Sequence, residues 1–178
     1  DEDNKIASMT GIETLVVNST NSDTSASIDL TNVTGLTTVS AKFAATGAAD
    51  QIEIDKLPAG TNVKLTSTHA TADVLDLGAA DASTTTTAVT VEVTSMASTT
   101  STVDIDAAGV ETFTLYNKSG NATNTFDLAG VTPTTDSKTK IIVTGVGATL
   151  KTLATDVDTV DGAAATGAIT IAAADRPD

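Results

Sequence analysis

The chain has 178 residues, enough for one ordinary domain with a sizeable core, and its 23 acidic residues against 9 basic ones give a net charge of −14. That balance argues strongly against nucleic acid, which is bound by displacing counter-ions with basic side chains, and against docking on an anionic membrane, while no apolar run approaches membrane-spanning length. Aromatic residues are 2% of the chain and cysteine is absent, so no aromatic platform for sugars or single strands, no disulfide and no thiolate metal site is available.

Residues 1–10 read as a lead-in, with Ile6 and Met9 as its large apolar anchors. Residues 12–17 alternate as a strand does, and 18–25 form a polar turn. A rhythm then begins in which Ile28-Asp29-Leu30 is followed by a run ending at Phe43, and Ile52-Glu53-Ile54 by Val63-Lys64-Leu65. Leu75-Asp76-Leu77 is followed by Val89 and its neighbours, Val103-Asp104-Ile105 by Val110, and Phe126-Asp127-Leu128 by Ile141-Ile142-Val143. Leu150 leads to Val157, and Ile169-Thr170-Ile171 opens a last turn. The opening positions are 28, 52, 75, 103, 126, 150 and 169, in steps of 24, 23, 28, 23, 24 and 19. Thr and Val favour strands over helices, and no apolar stripe of period 3.6 persists. The Ala-rich pieces at 44–49, 79–82 and 163–168 contain Gly or Asp and read as turns. Apolar residues at 40%, recurring with period two, argue against disorder.

One stretch is written twice. Gly11-Ile12-Glu13-Thr14-Leu15 returns as Gly109-Val110-Glu111-Thr112-Phe113, and Ile28-Asp29-Leu30 as Phe126-Asp127-Leu128, both at an offset of 98. Short strands at steps of roughly 20–30 residues, inside a longer repeat, predict an all-β parallel β-solenoid. The expectation is about seven coils over residues 11–178, with a first copy at 11–108 and an incomplete second at 109–178. Ile28, Ile52, Leu75, Val103, Phe126 and Leu150 should each be buried over the equivalent residue of the next coil. The alternative is two β-sandwich domains, in which Ile28-Asp29-Leu30 would pair antiparallel with the run 36–43.

In Ile-Asp-Leu a strand turns Ile and Leu inward and Asp outward. In-register stacking would therefore align Asp29, Glu53, Asp76, Asp104 and Asp127 in one row, with Lys151 interrupting it at the next coil. Such a row calls for counter-charge, either Ca²⁺, a partner's basic side chains or solvent and salt. Asp104 and Asp106, ahead of Gly109, and Asp156, Asp158 and Asp161, ahead of Gly162, are the candidate calcium ligands, since Ca²⁺ takes several carboxylate and backbone oxygens. The competing role for these aspartates is turn formation. His69, the single histidine, has no partner for a zinc site and no nucleophile turn, so no enzyme is expected. Four Asn-x-Ser/Thr matches, at Asn18, Asn32, Asn117 and Asn121, need no selection in a chain this rich in Thr and Ser.

The phrases TGIETLVV, SIDLTNVTGLTTVSA, LPAGTNVKLTS, VDIDAAGVETFTL and VDGAAATGAITI resemble the strand repeats of large bacterial surface-layer proteins. Adhesins exported by one-step (type I) secretion carry similar repeats. The resemblance covers about residues 10–173, and it implies a calcium-dependent β-solenoid segment of a secreted, extracellular cell-surface coat. The family's Gly- and Asp-rich calcium nonapeptide does not occur here, so neither its calcium sites nor its export signal carry over. The expected role is structural self-assembly with copies of itself, with any hold on a cell-surface glycan left to a segment outside this sequence. The alternative is a rod-like spacer of a repeat adhesin. The chain opens without Met and closes mid-pattern at Arg176-Pro177-Asp178, which reads as a piece of a longer protein.

Overall fold

The structure is a computed structural model and describes residues 8–19, 26–44, 50–67, 73–77, 88–96, 102–133 and 137–172. Among these there is no helix; the elements are strands, joined at corners by turns and bends. Each long pairing is parallel, and, apart from the short corner strands, consecutive strands alternate between two sheets. The first sheet takes β3 (Ala26–Asp29), β6 (Gln51–Asp55), β8 (Asp73–Leu77), β10 (Thr102–Ala108), β12 (Thr125–Leu128), β15 (Ala148–Leu153) and β17 (Ile169–Ile171). The second takes β2 (Thr14–Ser19), β5 (Thr38–Phe43), β7 (Asn62–Ser67), β9 (Ala88–Met96), β11 (Thr112–Asn117), β14 (Thr139–Gly145) and β16 (Val157–Asp161). This is a parallel β-solenoid. β3 lies in one sheet and β5 in the other, so the hairpin that a sandwich required does not form.

Inward side chains of both sheets meet in one apolar cluster. In the second sheet Leu15, Val39, Val63, Val91, Leu115 and Val143 stand directly above one another. Aliphatic rows of this kind suit parallel stacking, because each coil buries its apolar edge only against its neighbours. The five coils from β5/β6 to β14/β15 hold mostly buried inward residues, whereas those of β2, β16 and β17 are largely half-exposed. The core-enclosing solenoid thus has about five turns, slightly fewer than the seven expected, because the outermost coils are covered from one side.

The 98-residue repeat has a structural signature at one corner. β1 (Met9–Thr10) pairs with β4 (Val33–Thr34), and 98 positions later Ala107 and Ala108 of β10 pair with β13 (Val131–Thr132). The amide of Met9 donates to the carbonyl of Asn32, as that of Ala107 does to Gly130. Gly11 and Gly109 then leave these short strands with φ of 72° and 80°, a left-handed conformation that glycine adopts without a Cβ penalty. Met9 and Thr10, placed in the lead-in by the sequence, belong to this corner.

The expected core stack holds in part. Ile52 lies over Leu75, Val103 over Phe126 and Phe126 over Leu150, all of them fully buried. Ile28, however, pairs with Ile54 and is only partly buried, and Leu75 pairs with Ile105. These two junctions are slipped by two residues. A slip of two keeps every apolar side chain on the inner face, so the alternating pattern does not forbid it.

Candidate functional site

The outer face of the first sheet collects carboxylates, because five of its strands carry an acid at the outward positions between the core residues. The two-residue slips rearrange the row expected from sequence. Asp29 pairs with Asp55; Glu53, Asp76 and Asp106 form one ladder; Asp104 and Asp127 form another. The five residues Asp29, Glu53, Asp76, Asp104 and Asp127 are therefore not one file but parts of three neighbouring ones. The pairing of β12 with β15 shifts so that Asp127 faces Thr152, whose hydroxyl donates to its Oδ2 at 3.1 Å. Lys151, displaced by that irregularity, brings Nζ to 3.7 Å from the same oxygen.

Two members of the face have a turn-forming task. The amide of Thr31 donates to Asp29 Oδ1 at 2.8 Å, and that of Ala129 to Asp127 Oδ1 at 3.3 Å, 98 positions on. These bonds fold the chain back after each strand. At the centre of the face the charges act on each other. Partial burial, reinforced by Asp106, Glu53, Asp55 and Asp104, pushes Asp76 from its ordinary 3.8 up to about 6. Burial, then Asp106 and Asp127, raises Asp104 despite the opposing effect of Lys151. Burial and Asp127 likewise raise Asp106.

The other predicted ligands do not converge. Asp156 lies in an exposed turn with Lys138 Nζ 3.4 Å from its Oδ1. Asp158 is exposed on β16 and accepts from the neighbouring Thr159 hydroxyl at 3.4 Å. Asp161 takes Lys140 Nζ at 2.9 Å and the amide of Ala163 at 3.1 Å, and these two partners hold its carboxyl below the usual carboxylate range. Among the described residues no three His, Cys, Asp or Glu side chains are disposed to hold one metal ion. Neither predicted cluster, as placed, fits a dedicated calcium cage, which needs six or more convergent oxygens. His69 lies outside the described residues.

The outer face of the second sheet is different in kind. Its outward ladders run Thr14–Thr38–Asn62–Thr90–Thr114 and Val16–Ser40–Lys64–Glu92–Tyr116–Thr144, with Lys42 between Asn18 and Thr66. Lys118 reaches back to Glu92 Oε2 at 3.0 Å and covers the Tyr116 ring at 4.5 Å from its centroid. The sequence reading singled out none of these lysines, although Ser40, Lys42 and Lys64 at alternate positions of apolar runs signalled a polar outer face. Of the glycosylation matches, Asn117 is closed: its amide is buried and donates to the carbonyls of Asn121 and Gly147.

Comparison of the chain with protein-family models, with curated proteins and with solved structures found no match.

Proposed function

We propose that this chain is a structural segment of a secreted bacterial surface-layer protein, a stiff rod that assembles with copies of itself at the cell surface and carries out no catalysis. The observation that supports this reading is the division of labour across each strand. Inward residues stack into one continuous apolar core, while outward residues form mostly polar ladders, short and acidic on the first sheet and longer on the second. Such ladders suit contacts repeated at the spacing of the coils. Calcium enters this reading as a shared counter-ion of the acidic ladders and not through a built cage. A divalent ion that binds only the folded chain would stabilise it by about 2.7 kcal/mol at a hundredfold excess over its dissociation constant.

Electron microscopy of the purified chain, with and without millimolar Ca²⁺, tests the assembly. A two-dimensional lattice or laterally packed rods is the expected result. Isolated rods under every condition would favour a spacer of a repeat adhesin instead. NaCl matched in ionic strength is the control for calcium, since simple screening also relieves repulsion between exposed charges.

A further inference from the structure

The two outer faces lie on opposite sides of one core and differ in charge. On the first sheet Glu53, Asp76 and Asp106 form a ladder across three coils, with Asp104 beside it, and no described lysine forms an ion pair with any of the four. On the second sheet Lys42 and Lys64 stand on adjacent coils, likewise without an ion pair among the described residues; Lys42 lies between Asn18 and Thr66, and Lys64 between Ser40 and Glu92, whose carboxylate is taken by Lys118. Carboxylates are acceptors only, whereas ammonium and hydroxyl groups donate. The faces are therefore complementary in hydrogen bonding as well as in charge. They also share a period, because each coil gives one strand to each sheet and neighbouring strands lie about 4.8 Å apart.

We infer that the occupant of the acidic face is the Lys42/Lys64 face of a second copy of this chain. This inference rests on the self-assembly reading and names its contact. Lys42 and Lys64 of the same copy lie across the core from this ladder, and Lys151, on the acidic sheet itself, is paired with Asp127. A contact between two different faces is heterologous: each copy still offers a free acidic face and a free lysine face, so the row continues without closing. Five coils of about 4.8 Å and strands about 17 Å long give roughly 400 Å² per partner, half of a standard stable interface. Each contact is thus weak and salt-sensitive, and its strength comes from repetition.

Charge exchange tests this directly, by sedimentation velocity at high protein concentration and low salt, with a chelator present. Lys42→Glu/Lys64→Glu and Glu53→Lys/Asp76→Lys should each weaken self-association at least tenfold. Their equimolar mixture should associate again, because the new acidic face of one meets the new basic face of the other. Should the lysine-bearing variant fail to fold, Glu53→Gln/Asp76→Asn replaces it, with weakened association expected. If both single-face variants associate like the parent, or the mixture gains nothing, the face-to-face contact is overturned while self-assembly stands. Association of Lys42→Glu/Lys64→Glu that returns only with added Ca²⁺ would mean acidic faces bridged to each other, and also overturns it. A parent chain that stays monomeric at every salt and calcium concentration removes the self-assembly reading and this contact together.

Discussion

Asp76 offers the sharpest test of the acidic ladder, because its substitution by Asn should stabilise the protein. Glu53 and Asp106 stand directly across from it on the flanking strands. At about 4.8 Å each like charge costs about 0.9 kcal/mol in bulk water, and salt with a Debye length of about 8 Å roughly halves that. Two neighbours therefore cost about 1 kcal/mol, a figure already discounted for the half-exposed position. The folded-state value near 6 lies above the ordinary 3.8, so the fold holds this proton more tightly than the unfolded chain does. Protonation of Asp76 thus stabilises, and the contribution is lost as pH rises from about 4 through about 6. Asp76→Asn should raise the melting temperature at pH 7 by about 2–4 °C, with the gain vanishing near pH 4. The measurement is thermal unfolding by circular dichroism at both pH values, in a chelator. A lower melting temperature at pH 7 would refute the reasoning, since the carboxylate would then be held by something that favours its charge. So would a gain that persists at pH 4, since it would not come from removing a charge.

Phe126, fully buried between Val103 and Leu150, should cost about 3–5 kcal/mol when truncated to Ala, read from denaturant unfolding. Gly145 has φ of 82°, and a Cβ there would collide with the carbonyl oxygen of Asn117, so Gly145→Ala should destabilise by about 2 kcal/mol or more. Gly60 has a similar φ of 78° but open space around it, and Gly60→Ala should cost about 1 kcal/mol, leaving a clear gap between the two melting temperatures. Asn117→Ala strands the carbonyls of Asn121 and Gly147 at a buried corner and should cost about 2 kcal/mol in the same assay.

The sequence by itself determined which side of each strand faces the core. Alternation in Ile-Asp-Leu and Val-Lys-Leu has a period of two, the pleat imposes the same period, and buried Ile52, Ile54, Val63 and Leu65 follow from it. The even steps and the doubled 98-residue phrase likewise made parallel stacking legible, because like residues must lie over like for the rows to close. Period two could not choose among registers that differ by two. The tertiary structure set Ile28 over Ile54 and Leu75 over Ile105. That choice was invisible in the core, where any aliphatic fits any other, yet it decided the surface. It brought Asp106 rather than Asp104 beside Asp76 and split one expected acidic file into three. It was also the three-dimensional winding that placed Lys42 and Lys64 across the core from those acids, since a charge's neighbours along a solenoid are set by its sheet and coil and not by its distance along the chain.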